Sequence, residues 1–288
     1  MSTTERPDDR TISSPRSDRV RRIAGLSGRS ARRRHGLFRV EGPQSVRSLL
    51  EHRADAVEEL FLTADAASDH GELVDLAGAA GIAVRPVVPE ALRAMVRDQD
   101  AAGTLVSPQG VVATARVAAV DLALEDALAA LPPAGEPATV LVLHELRDPG
   151  NVGTLIRTAD AAGADLVLLT GASADVLAPK VVRSSAGSLF HLPVAGGADP
   201  ALLYPALRAA GVAIAATSGY AQEDLFAAEI PARVAWVMGN EAHGLPAAVL
   251  EDADLAVRIP LAGAAESLNV ATAATVCLFE TLRRRGRE

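Results

Sequence analysis

The stretch that most constrains the fold runs from Ala138 to Thr170. Two short apolar segments, Ala138 to Leu143 and Asp165 to Thr170, flank LRDPGNVGTLIRTADAAG. Asp148-Pro149-Gly150-Asn151 is turn chemistry, because Pro, Gly and Asn supply the backbone angles that tight turns need. Thr154 to Ala162 then carries Leu155, Ile156, Ala159 and Ala162 at helical spacing. Strand, turn, helix and strand in this order invite a phosphate-loop or dinucleotide reading. Neither holds, since the segment contains no G-x-x-x-x-G-K-[ST] and no G-x-G-x-x-G. It does place Asn151 on the turn and Arg157 about one and a half turns into the helix. An amide and a guanidinium then lie near the carboxyl end of a buried strand, where α/β proteins build their sites.

The same alternation continues to the C-terminus. Residues 152–162 read as helix, 165–169 as strand, 178–187 as helix, Pro193 to Pro200 as a break, and 201–210 as helix. Strand 212–217, a short helix around 221–228, strands 233–238 and 254–259, and a terminal helix 267–284 follow. Short, continuously apolar strands separated by helices make a parallel sheet covered on both faces. The first half is a smaller α/β sandwich. Its strands are expected at Leu37 to Val40, Val57 to Thr63, Ala83 to Val88 and Val111 to Ala115, with helices at Ser45 to His52, Gly71 to Ala80 and Pro89 to Val96. Asp98 to Gly110 reads as loop, Asp121 to Leu131 as a connecting helix, and Pro132 to Pro137 as a linker. The expected domains are a disordered basic tail (1–28), the sandwich (29–116), the connection (117–137) and the parallel-sheet domain (138–288).

Charge is distributed unevenly. The chain carries −8 over 288 residues, yet Arg16 to Arg39 holds nine arginines against Asp18 alone, or +8, which leaves −16 elsewhere. A basic arm on an acidic protein suits contact with phosphates. Lys180 is the only lysine beside 27 arginines, so clustering informs more than arginine content does. Cys277 stands alone, which excludes an internal disulfide and a cysteine-built zinc site; no metal is expected. No apolar run approaches a membrane span, and the polar N-terminus has no secretory apolar segment. A cytoplasmic protein without membrane contact is expected.

Two further strand-to-loop junctions carry polar groups. WVMGNEAHGLP (236–246) runs from strand into a Gly-punctuated loop with Glu241, where Asn240 alone reads as a turn or capping residue. RIPLAGAAESLN (258–269) runs from strand to loop to helix, and Ser267 by itself reads as the N-cap of the last helix. Asn269 is a poor helix former placed just behind it. Three strand-end loops, each with Gly or Pro and an amide or hydroxyl, would converge at one edge of the sheet.

In order and spacing, NVGTLIRTADAAGAD, VMGNEAHGLP and IPLAGAAESLNVATAA resemble the three motifs of the SpoU (TrmH-like) RNA ribose 2′-O-methyltransferases, of the SPOUT class. RVEGPQSVRSLL, VEELFLT and SPQGVVATA resemble the family's L30e-like substrate-binding domain. The resemblance covers everything but the tail. It implies an α/β fold whose C-terminal domain is threaded into a deep trefoil knot, a rare exception to the rule that chains do not thread loops. The implied cofactor is S-adenosylmethionine, held by Gly239, Ile259 and Leu268, with Thr217 at the preceding strand end as a further contact. Asn151, Arg157, Glu241, Ser267 and Asn269 are the implied lining of the methyl-transfer site. A homodimer through the C-terminal domain is implied as well.

Those residue types suit the chemistry. Transfer from a sulfonium to a ribose hydroxyl depends chiefly on alignment, which can remove roughly 7–11 kcal/mol of barrier. Arg157 is the family's proposed base, but a guanidinium gives up its proton only far above neutral pH. The expectation is that Arg157 clamps the adjacent phosphate and polarises the hydroxyl. Arg32, Arg33, Arg34, Arg147, Lys180 and Arg183 are the expected RNA contacts. RNA is the expected partner, with 23S rRNA preferred to tRNA by analogy with family members that carry this N-terminal domain. A tRNA modifier, or an RNA-binding protein that keeps the fold without catalysis, is the alternative; the latter would have lost polar motif positions. A Rossmann-type methyltransferase would need a glycine fingerprint that is absent.

Overall fold

The computed structural model describes residues 11–96, 109–240 and 243–286. Most of the expected 98–110 loop and residues 1–10 of the expected tail therefore lie outside the described residues. The chain divides into two compact units, Met1–Val120 with Leu177–Arg183, and Asp121–Val176 with Ser184–Glu288.

The first unit contains α1 (Asp18–Gly25), α2 (Arg29–His35), β1 (Leu37–Glu41), α3 (Pro43–His52), β2 (Val57–Leu62), α4 (Ala64–Asp69), α5 (Gly71–Ala79), β3 (Ala83–Pro86), α6 (Pro89–Met95) and β4 (Val111–Arg116). Its sheet has the order β1-β4-β2-β3. β4 runs antiparallel to both β1 and β2, whereas β3 is parallel to β2. The expected disordered tail is corrected over Asp18–Gly25, which is helix. Val20 and Ile23, three apart on α1, pack with Phe61, Leu92, Met95 and Val112. Ser17 caps the helix by accepting from the Val20 N–H. The apolar spacing had been outweighed by the surrounding arginines. Arg39, 1% exposed, ties α1 and α6 to β1: its Nη1 donates to the Ala24 and Met95 carbonyls and its Nε to Glu41 at 2.6 Å.

The second unit contains α7 (Leu124–Ala129), β5 (Ala138–Leu143), α8 (Pro149–Ala161), β6 (Leu166–Thr170), β7 (Val194–Ala198), α10 (Pro200–Ala209), β8 (Ala213–Thr217), β9 (Glu223–Asp224), β10 (Arg233–Met238), α11 (Ala247–Glu251), β11 (Leu255–Arg258) and α12 (Val270–Arg285); α9 (Pro179–Ser184) falls almost wholly in the first unit. Its sheet has seven strands in the order β7-β6-β5-β10-β8-β11-β9, and every pairing is parallel. β5 and β6 are buried at every position, which explains their unbroken apolar sequence. Two expectations are corrected here. The Pro193–Pro200 break holds β7, whose Val194 and Ala195 are buried although its glycines gave no strand signal. The helix around 221–228 is replaced by the two-residue β9 and turns, because Asp224 pairs with Arg258. α12 packs against α8 and β10. The buried Trp236 anchors it, with Nε1 donating to Thr281 Oγ1 at 2.9 Å.

Candidate active site at the carboxyl edge of the parallel sheet

In a wholly parallel sheet all carboxyl ends share one edge, and β5, β10, β8 and β11 are consecutive in it. The loops bearing the three motifs, and Thr217 at the end of β8, therefore leave from four adjacent strands. After β5, Asp148 caps α8 by accepting from the Asn151 N–H at 2.8 Å. Pro149 follows at the first helical position, where its missing N–H costs nothing. Asn151 thus belongs to the first turn of the helix and not to the turn before it, and it is half-buried. Val152, Leu155, Ile156 and Ala159 face the core, leaving Arg157 exposed. The Arg157 side chain makes no hydrogen bond or ion pair with the described residues.

After β10 the chain turns tightly at Gly239. A Cβ there would sit 2.5 Å from the Gly244 carbonyl carbon and 2.6 Å from both the Gly244 oxygen and the Leu245 nitrogen. Only glycine lets this loop fold back on itself. Asn240 closes it, its carbonyl accepting from Gly244 N–H at 2.8 Å and its Nδ2 donating to the Glu145 carbonyl at 3.0 Å. Glu241 lies outside the described residues.

After β11, Ile259 and Leu268 are half-buried and Pro260 to Ser267 are exposed. Asn269, not Ser267, is the N-cap of α12, with Oδ1 accepting from Ala271 N–H at 2.8 Å. The helix starts three residues later than the sequence suggested, because Ser267 and Leu268 remain in the loop. Between Pro260 and Leu268 no backbone hydrogen bond is formed among the described residues, so a run of donors and acceptors stays available.

The expected RNA contacts separate into two groups. Arg33, Arg34, Arg147 and Lys180 are exposed. Arg32 is corrected: it is 4% exposed, and its Nη1 donates to the Leu26 and Ser27 carbonyls at 2.8 and 2.7 Å, so it fastens α2 to the end of α1. Arg183 is engaged by the buried Glu41 at 3.0 Å. Sequence reasoning missed His144 and Tyr204, a buried pair with Nδ1 and the hydroxyl 2.7 Å apart. Burial lowers the His144 pKa, opposed by the Glu145 carboxylate, and raises that of Tyr204. A lone histidine at a strand end carries no signal in sequence.

The "SpoU rRNA Methylase family" profile matches residues 138–279, and the "RNA 2′-O ribose methyltransferase substrate binding" profile matches 39–118. The 23S rRNA (guanosine-2′-O-)-methyltransferase RlmB of Ralstonia nicotianae is 33% identical over 245 residues, covering 85% of this chain and 94% of that protein. The chain belongs to the SpoU family. The RlmB protein of Xylella fastidiosa is 36% identical over 250 residues, covering 85% of this chain and 96% of its own. Among solved SpoU-type structures, the AdoMet-bound rRNA methyltransferase of Sinorhizobium meliloti superposes with a TM-score of 0.79 at 31% identity, covering 95% of this chain and 97% of that one. AviRb of Streptomyces viridochromogenes in complex with AdoMet gives 0.78 at 31%, covering 94% of this chain and 100% of its own. The α/β fold with a parallel sheet is thus the SpoU fold.

Proposed function

We propose that this SpoU-family protein is an S-adenosylmethionine-dependent methyltransferase acting on a ribose 2′-hydroxyl of 23S rRNA. The observation that carries this reading is the match along 94% of a relative named for that reaction. The loops suit the cofactor. Its polar groups can be met by the unpaired backbone of Pro260 to Leu268, and Gly239 lets the neighbouring loop fold tightly back on itself at the same sheet edge. Gly239, Ile259, Leu268 and Thr217 are the residues that would hold it. Bound there, S-adenosylmethionine supplies an electrophilic methyl group on sulfur.

The chain's own residues then align the ribose. Asn151, Ser267 and Asn269 offer uncharged donors and acceptors, and Asn269 keeps its Nδ2 free of the capping bond made by its Oδ1. The Arg157 guanidinium binds the adjacent phosphate and lowers the cost of charge developing on the 2′-oxygen. Glu241, assigned by its place in the second motif alone, acts with them. Arg33, Arg34 and Lys180 hold the RNA backbone, and Arg147 contacts the RNA at the mouth of the site. Residues 29–116 act as the L30e-like RNA-holding domain and 138–288 as the catalytic domain, joined through 117–137. A trefoil knot is supported by β10 lying between β5 and β8 while α12 returns across α8. A homodimer through the catalytic domain is supported by the exposed Leu261, Phe279 and Leu282.

The test is methyl transfer from tritiated S-adenosylmethionine to unmodified 23S rRNA, with tRNA as the competing substrate. Label on a 23S ribose is expected. Arg157→Ala should lose turnover by far more than the modest RNA affinity that one phosphate contact supplies. Near-full activity in Arg157→Lys would refute a two-pronged guanidinium contact, and label confined to tRNA would refute the substrate.

A further inference from the structure

A cavity of about 360 Å³ opens at the carboxyl ends of β5 and β10, lined by His144, Glu145, Arg147, Asn240, His243 and Pro246. That volume lies within the range of small-ligand sites (~300–1,000 Å³) and admits a nucleobase. The wall is built firmly. His144 is buried against the Tyr204 hydroxyl. The next residue, Glu145, has φ +53°, a left-handed conformation uncommon for any residue but glycine. Its N–H donates to Thr170 Oγ1 at 2.8 Å, and its carbonyl accepts from Asn240 Nδ2 at 3.0 Å. Backbone held in this region by its surroundings gathers at functional sites.

That conformation sets the Glu145 carboxylate beside the Arg147 guanidinium, with Oε2 and Nη2 3.8 Å apart. Both side chains remain open, 44% and 71% exposed. A carboxylate next to a guanidinium presents acceptor, acceptor, donor. The pairing edge of guanine presents the complement: the N2 amino donor, the N1–H donor and the O6 acceptor. Adenine and cytosine each set a ring-nitrogen lone pair against the second carboxylate oxygen. Uracil meets the second oxygen with its N3–H but sets its O2 carbonyl against the first.

We propose that Glu145 and Arg147 read the base of the nucleotide whose ribose is methylated; the edge they complement is that of guanine, the base in the names of the 23S rRNA relatives. Arg147 stands four residues before Asn151, so one loop joins the base-reading pair to the ribose-facing amide. Base reading at this cavity presupposes the ribose methylation proposed above.

The methylated nucleotide of a 23S rRNA transcript is first mapped with the full-length wild-type protein. Hairpins carrying guanosine, inosine or adenosine at that position are then compared by kcat/KM. Inosine lacks the N2 amino group, so wild-type protein should use it about 10-fold less well, or worse, for the loss of one charge-assisted hydrogen bond. Glu145→Gln should bring guanosine and inosine to within a few fold, with S-adenosylmethionine binding by calorimetry unchanged. Arg147→Ala, the second variant, should lose preference for guanosine over adenosine. A mapped nucleotide other than guanosine, equal use of guanosine and inosine by wild type, or full preference in both variants overturns base reading and leaves ribose methylation standing. If wild-type protein methylates no transcript, ribose methylation itself fails. Equilibrium dialysis with guanosine and inosine 5′-monophosphates then decides the cavity, equal binding refuting it.

Discussion

Adding one methyl group at Gly239 puts the motif-two loop to a direct test. In Gly239→Ala the new carbon lies 2.5 to 2.6 Å from three backbone atoms of Gly244 and Leu245, about 1 Å inside ordinary carbon contact. Backbone cannot rotate away as a side chain can, so the loop must open. Overpacking of this kind costs roughly 1–3 kcal/mol. The loop is close to solvent and relaxes in part, so the lower half of that range is expected. In a unit of this size that lowers Tm by roughly 2–8 °C. Function should suffer more, because a displacement near 1 Å at a positioning element can cost ~100-fold in rate. Gly244→Ala is the control. Gly244 has φ +66° but no atom within 4 Å of an added Cβ, so it meets only the left-handed backbone penalty of about 1 kcal/mol. Urea melts and S-adenosylmethionine calorimetry distinguish the two. Gly239→Ala should lose cofactor affinity well beyond Gly244→Ala. Wild-type stability together with wild-type cofactor binding in Gly239→Ala would refute the role given to this turn.

Other outcomes follow from the same geometry. Glu41→Gln leaves the buried Arg39 guanidinium without its counter-charge and should destabilise the protein by about 3–5 kcal/mol in urea melts. Arg33→Ala and Arg34→Ala should each lower the salt slope of RNA filter binding by about one, whereas Arg32→Ala should lower Tm and leave that slope unchanged. His144 has a folded pKa below its unfolded one through burial, so the unfolded chain takes up the proton first on acidification. Its stabilising share is complete above pH ~6.5 and declines below it, by at most about 1.4 kcal/mol per pH unit. Urea melts between pH 7 and 5 should show that slope in wild type and a flatter one in His144→Gln. Glu280 is held down to about 2, chiefly by its hydrogen bond from Arg283, so its share is complete above the usual carboxylate value and is lost only in strong acid. The two groups therefore act in separate pH windows.

Much of the fold was legible because periodicity is a local property. The run ATVLVL is buried at every position, and Leu155, Ile156 and Ala159 face the core as their spacing required. Elements fixed by remote partners were not legible. β7 exists because β6 lies beside it, and β9 because Arg258 pairs with Asp224. α1 was hidden by charge: Val20 and Ile23 are few among arginines, yet they find a core. Arg32 illustrates the limit of reading charge clusters, since its neighbours Arg33 and Arg34 are exposed while it serves two carbonyls. Within the candidate site, the family resemblance pointed to Gly239 and Asn269, but the capping role of Asn269 depends on where α12 starts. Nothing local to Glu145 announced its left-handed backbone, which Thr170 and Asn240 impose from elsewhere in the sheet.

Ribose-methylation mapping of total RNA, from cells with and without the intact gene, tests the central claim most directly. One 2′-O-methylated nucleotide of 23S rRNA should disappear without the gene, return with the wild-type copy, and stay absent with Arg157→Ala. An unchanged ribose map, or a lost methyl group that belongs to a base or to tRNA, would contradict it.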